Sequence, residues 1–335
     1  ARSHAVHAAA ARAMVGRKCM AESGGEYYAA RMPSSPHYAM ERKLGTARRA
    51  GFVPLARRGG FTVVELVVVL AIIGVLVAII VPVAMGARRS VARMREVAAL
   101  RAVLVAWTSY ATEQQGFVLP GYKAGFQIKD ENGQAIPADI YGGDAEVSKR
   151  WPWRLAPWLD QDFRRLYVGA NAETLAKLQA GDRSQYFYFA SLYPSFGMNC
   201  AFVGGDDARF PSDPVLPNGP TNPFARYCVT RLSMATRPQQ TMVFVSSRTG
   251  ATADGSLNEG YFRVDAPWLN TPTVRWAAEY DPADSASFLN VSARHGDEAV
   301  TGTVDGAVEL VQVDALRDMT RWCDAAPERE WWIGK

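Results

Sequence analysis

His295 is the residue best placed to do chemistry. In RHGDEAVTGTVDG it is followed by Asp297 and Asp305 and preceded by Ser292, so an acid-oriented histidine could activate Ser292 or the more distant Ser246. That chemistry needs nucleophile, base and orienting acid in one geometry, and no nucleophile elbow holds either serine in a strained strand-to-helix turn. A hydrogen bond from His295 to the neighbouring hairpin is the expectation, and the chain is read as no enzyme. Asp206, Asp207 and Asp213 offer oxygen ligands for calcium, but the residue order of a twelve-residue calcium loop is absent, so no cofactor is assigned. Cys200, Cys228 and Cys323 form no C-x-x-C metal pattern. A Cys200–Cys228 disulfide would close the Pro/Asn-rich loop between them and leave Cys323 unpaired. Trp151, Trp153, Trp158, Trp331 and Trp332 could stack on glycans or bases, although aromatic side chains chiefly fill cores and interfaces.

Glu65 poses a different question. It is the only charge in FTVVELVVVLAIIGVLVAIIV, Phe61 to Val81, a run of 21 residues that as a helix spans roughly 31 Å, close to the hydrocarbon thickness of a bilayer. The run is longer than the apolar region of a secretory signal peptide and ends at no small-residue cleavage site. A plain signal anchor leaves the carboxylate unexplained, because an acid inside a membrane segment ordinarily has a partner and a use. If the chain is cut between Gly60 and Phe61, the new ammonium of Phe61 lies one helical turn from Glu65, or meets the Glu65 of a neighbouring copy.

These residues carry a resemblance. GFTVVELVVVLAIIGVLVAIIVP is similar to the cleavage and methylation segment of type IV prepilins and type II secretion pseudopilins. The resemblance implies that a prepilin peptidase cuts after Gly60 and methylates Phe61, that Glu65 serves assembly, and that Pro82 kinks the helix. Two more local likenesses lie downstream. His295, nine residues, then Asp305-Gly306 resembles the C-terminal H-x9-DG signature of pilin-like families of planctomycete-type bacteria. Ser195-Phe196-Gly197-Met198-Asn199 and RWPWRLAPWLDQ, from Arg150 to Gln161, resemble two further elements of those proteins. Ala307 stands where that family often has histidine. His4, His7 and His37 all precede the cut, so no two-histidine metal site can form in one processed chain.

The elements that must position these residues follow from pattern. Beyond Pro82 the apolar positions Val97, Leu100, Leu104, Trp107 and Ala111 share one helical face, while Arg88, Arg89, Arg93, Arg95 and Arg101 make the first part basic, a cluster that could bind acidic surfaces but reads first as a solvated face. One helix over 61–115 is expected, its half 61–81 transmembrane and Gly116 its stop. From 116 to 335 the chain is rich in Gly, Pro and aromatics. Strands are expected at Tyr186–Leu192, Thr241–Ser246, Tyr261–Val264, Ala299–Val304 and Ala307–Val313, the last two joined by a type I′ turn at Asp305-Gly306. The fold class is α+β, a long N-terminal helix packed on a C-terminal antiparallel β-sheet, pilin-like. Residues 1–60 read as a cleaved leader. Within it residues 1–39 lack periodicity, as a disordered extension or a mis-called start would, and Met40 could open a basic leader.

The formal charge of +4 is misleading, because residues 1–60 hold 11 of the 37 basic and 3 of the 33 acidic residues. The mildly acidic remainder argues against nucleic acid as a partner. Arg48, Arg49, Arg57 and Arg58 favour a cytoplasmic N-terminus, which puts the β-rich domain in the periplasm or outside the cell, on a single-pass protein of the inner membrane. The implied partners are prepilin peptidase, other pilin or pseudopilin subunits and membrane lipid. The rival reading is an uncleaved surface protein, anchored by one helix, whose outer domain binds a ligand or hydrolyses a substrate.

Overall fold

The computed structural model describes residues 60–129, 133–159, 162–214, 222–251 and 257–335; the leader before Gly60, with Cys19, lies outside the described residues. Helix α1 runs from Val63 to Glu113, 51 residues with Pro82 inside. Thr62 starts it as N-cap, and the helix stops where Gln115 and Gly116 turn left-handed, at φ 56° and 88°. Gly116 takes that conformation without a Cβ penalty and donates to the Ala111 carbonyl at 2.7 Å.

The two halves of α1 differ in what surrounds them. Every side chain from Val63 to Arg95 is exposed, whereas Leu100, Val103, Leu104, Trp107, Tyr110 and Ala111 are buried. Each large apolar side chain buried fully contributes about 1.5–3 kcal/mol, so the lower half is firmly held while the upper half projects as a bare apolar rod. The expected stripe is right, with Val97 at its half-buried margin.

Short helices follow: α2 (Ala145–Lys149), α3 (Trp151–Leu155), α4 (Ala170–Ala180) and α5 (Arg183–Leu192). Strands β1 (Phe196–Met198), β2 (Met242–Ser246), β3 (Thr249–Ala251), β4 (Leu257–Asn258), β5 (Glu298–Thr303) and β6 (Val308–Gln312) complete the chain. β1, β2, β5 and β6 form an antiparallel sheet in the order β1-β2-β5-β6, and β3 pairs with β4 apart from it.

That sheet is the middle layer of the domain. On one face Val243, Phe244 and Val300 share a core with α1, Trp151 and Phe187. On the other, Met242, Val245, Ala299 and Val311 pack with Phe288, Trp276 and Trp322 from the irregular C-terminal region. Gly302 on β5 lets α1 come close: a Cβ there would lie 2.7 Å from Leu104 Cδ1 and 3.3 Å from Leu100 Cδ2.

Three expectations change. Tyr186–Leu192 belongs to α5, not to a strand: Asp182 caps it by accepting the Gln185 N–H (3.0 Å), and Phe187, Ala190 and Ser191 bury one helical face, so packing overrides the β-propensity of the aromatics. Tyr261–Val264 forms no strand but one parallel bridge, Met198 to Arg263, along the edge of β1. Its backbone presses on Gly197, where a Cβ would sit 2.8 Å from the Arg263 carbonyl carbon. The β5–β6 hairpin exists, yet only Gly306 of its turn has positive φ (89°). Gly306 donates to Thr303 (3.0 Å) and Thr303 to Ala307 (3.0 Å), a three-residue loop with a glycine bulge in place of type I′.

Candidate functional site

Two regions bear on function. At the first, Gly60 and Phe61 are exposed at the head of the rod. Thr62 and Glu65 form a reciprocal capping box: the Glu65 carboxylate accepts the Thr62 N–H (2.9 Å) and hydroxyl (3.0 Å), and Thr62 Oγ1 accepts the Glu65 N–H (3.2 Å). Within one chain the carboxylate therefore caps its own helix. Pro82 sits inside continuous helix, where it removes one ladder hydrogen bond.

The second region lies where α1 meets the sheet. Glu96, 1% exposed, projects from α1 into a buried polar cluster. His295 Nε2 lies 2.7 Å from Glu96 Oε2, Ser246 Oγ donates to Glu96 Oε1 (2.5 Å), and Arg294 Nε lies 3.4 Å from that same oxygen. Arg294 also reaches Glu259 (3.0 Å) and donates to the carbonyls of Ser195 (3.1 Å) and Ser247 (2.9 Å). Burial pushes the Glu96 carboxyl up. The Arg294 guanidinium and the hydrogen bonds from His295 and Ser246 outweigh it and hold the carboxyl below its usual range.

Sequence reasoning singled out His295, Ser246 and Ser195 but missed the carboxylate between them. The signal was available: Glu96 stands one turn above Leu100 on the stripe that continues to Leu104 and Trp107, where a charge must be paired once buried. His295 bonds to α1 through its ring and to Glu298 through its backbone N–H (3.3 Å), so the expected bond to the hairpin is a minor part of its role. Asp305 caps the turn, accepting from Thr303 Oγ1 (2.5 Å) and from the Ala307 N–H (3.1 Å). Asp297 turns the chain at φ 63° and accepts the Val313 N–H (2.8 Å). Ser246 is fully buried, its hydroxyl shared between Glu96 and the Val300 backbone (3.2 Å to the carbonyl, 3.0 Å from the N–H), and Ser292 donates to Glu259 (3.2 Å), so neither serine is bonded to His295. The cluster is a clamp between helix and sheet.

The remaining candidates occupy separate places. Asp206 is buried and paired with Arg263 (2.9 Å), Asp213 stands 4.0 Å from Lys123, and burial pushes the Asp207 carboxyl up. No group of three or more His, Cys, Asp or Glu among the described residues could hold a metal ion. Cys200, Cys228 and Cys323 are all buried free thiols, which corrects the expected Cys200–Cys228 bridge. Cys200 packs in the helix-side core at the point where Gly121 leaves room for its sulfur, while burial, and after it the neighbouring Cys323, pushes the Cys228 thiol up. The loop between Cys200 and Cys228 is closed instead by backbone bonds, Val229 N–H to Phe202 (2.8 Å) and Gly204 N–H to Val229 (2.9 Å). Trp151, Trp153 and Trp331 are buried; Trp151 donates to Phe262 (2.6 Å) and Trp153 to Phe187 (3.1 Å).

Residues 55–81 match the family model described as the prokaryotic N-terminal methylation motif. The match ends at Val81 and does not reach the H-x9-DG residues. No curated protein and no solved structure matches the chain.

Proposed function

We propose that this type IV prepilin-like chain is cut between Gly60 and Phe61 by a prepilin peptidase, methylated on Phe61, and assembled through α1 with other pilin or pseudopilin subunits into a pilus or secretion pseudopilus. The observation that carries the reading is the methylation motif running directly into a helix that is long and apolar enough to cross a membrane and exposed throughout its apolar half. A single-pass anchor follows, with the leader cytoplasmic and residues 116–335 outside the inner membrane. In the assembled bundle the apolar rods pack on one another, and Glu65 neutralises the Phe61 ammonium of its own or a neighbouring chain.

N-terminal mass spectrometry of protein from native membranes tests the first step: a peptide beginning at methylated Phe61 is expected, and an intact Gly60-Phe61 bond would leave only an anchored surface protein. The second step is tested by a pair of variants. Glu65→Ala removes both charge and cap, whereas Glu65→Gln keeps a capping acceptor without the charge. Cleavage is expected to persist in both and filaments to fail in both; filaments at normal yield in the Gln variant would sink the charge pairing.

A further inference from the structure

Beside α1, between its arginine-bearing turns and the start of α4, lies an open groove of about 1210 Å³. Arg89, Ala92, Arg93, Glu96 and Ala99 line it from one face of α1, at helical spacing, and Gly169 and Ala170 form part of the opposite wall. Its arginines are unequally committed. Arg294 is held by Glu96 and Glu259, Arg164 by Asp162 (2.8 Å), and Arg93 by Glu298 (2.7 Å). Arg89 and Arg95 are exposed, and neither forms an ion pair among the described residues.

Position along α1 narrows what these two cations meet. Val81 ends the membrane-length run and Met85 is the last large apolar side chain before Arg88, so Arg89 stands about 6–12 Å and Arg95 about 15–21 Å further along the helix axis. Headgroups occupy roughly 5–8 Å beyond each side of the hydrocarbon core, within reach of Arg89, since a long arginine can extend back along the helix toward the interface, and a headgroup drawn up into the groove meets Arg95. On the outward side these arginines also work against the orientation that Arg57 and Arg58 favour, so they are not explained as topology signals.

We propose that this groove binds the phosphate headgroup of an anionic membrane lipid, Arg89 and Arg95 supplying the free positive charge, so that the outer domain rests on the membrane while the chain waits as a single-pass protein. The small side chains of Ala92, Ala99 and Ala170 leave space for the headgroup beside Arg89 and Arg95, while Glu173 on the opposite wall orients the anion toward α1. The proposal deepens the function argued above and rests on its topology.

The test uses the full chain in neutral detergent, with native mass spectrometry counting retained phosphatidylglycerol against phosphatidylcholine. Wild type is expected to keep phosphatidylglycerol selectively, and the double variant Arg89→Gln/Arg95→Gln to lose roughly thirtyfold in retention, as removal of two surface cations predicts. Arg88→Gln lies at the same depth but outside the groove and should change retention less than twofold; an equal loss there would replace the groove with diffuse attraction. Inorganic phosphate that competes as well as the lipid would make it a free-anion site and overturn the lipid assignment. Undiminished retention in the double variant, or binding displaced by an acidic second copy of the chain, would also overturn it. The measurement is repeated on peptidase-treated protein: lipid retained without any cut at Gly60 sinks only the prepilin function, and normal cutting without selective lipid sinks only the groove.

Discussion

Glu96→Ala is the most informative perturbation of the outer domain. The wild-type carboxylate is 2% exposed at its side chain and faces Arg294 and His295, themselves 15% and 11% exposed. Removing one partner of a buried ion pair costs about 3–5 kcal/mol because the other charge is left without compensation. Here Arg294 keeps Glu259 and the carbonyls of Ser195 and Ser247, which places the expected loss near the lower end, about 3 kcal/mol. Glu96→Gln keeps an acceptor for Ser246 but loses the charge assistance, for a loss of about 1–2 kcal/mol. Urea unfolding of the full chain in detergent, followed by tryptophan fluorescence, reads both, since Trp107 on α1 is fully buried beside the sheet. The pH profile supplies a second readout with a defined sign. A carboxyl whose folded value is lowered stabilises the fold above its ordinary value of 4.5 and loses that contribution as pH falls through the lowered folded value. Wild type should therefore weaken on acidification in that window more steeply than Glu96→Gln. An alanine variant within about 0.5 kcal/mol of wild type, the range of an ordinary surface substitution, would refute the clamp.

Further outcomes follow from the same packing. Gly302→Ala drives a methyl into Leu104 and should cost about 1–3 kcal/mol, partly recovered by adding Leu104→Ala, in the same unfolding assay. Asn199→Ala removes buried hydrogen bonds to Met242 (3.0 Å) and Trp322 (2.8 Å) that tie the sheet to the C-terminal layer, an expected loss of about 2–3 kcal/mol. Burial pushes the Cys228 and Cys323 thiols up to about 12, so both should resist alkylation at pH 8 in the native protein and react once it is unfolded; a non-reducing peptide map showing a Cys200–Cys228 bridge would contradict the free thiols.

What the sequence revealed depended on how local the determining physics was. Helix α1 was legible almost to its ends because its apolar run, its stripe and its stop signal all lie within a few turns of the residues they govern. The β5–β6 hairpin was legible for the same reason, while its turn type was not: Asp-Gly admits both a two-residue loop and a bulged three-residue one, and the Thr303–Ala307 bond selects the second. Tyr186–Leu192 misled because aromatics suit a strand and a buried helix alike, and only packing on neighbouring helices decides between them, as where Trp153 of α3 meets Phe187 at 4.7 Å between ring centroids. Glu96 was overlooked because its partners stand 150 and 199 residues away in sequence.

The residues singled out beyond the membrane segment share a mechanical role. Arg294 and His295, from the H-x9-DG stretch, grip Glu96 on α1, and Ser195, which opens SFGMN, receives Arg294 on its carbonyl. Asn199, which closes SFGMN, anchors the far layer of the sheet, and Trp151, from the tryptophan-rich stretch, fastens the Phe262 backbone along β1. Each of these side chains joins two layers, and the chain of joints ends on the helix. A force applied to the exposed half of α1 would reach the sheet through the partly exposed Arg93–Glu298 pair, then through the Glu96 cluster, the uppermost buried point of attachment, then through Leu100 and Leu104 over Gly302. Weakening Glu96 should thus free α1 from its membrane-proximal end, whereas Gly302→Ala should lift it further down, and hydrogen exchange along residues 96–107 would separate the two.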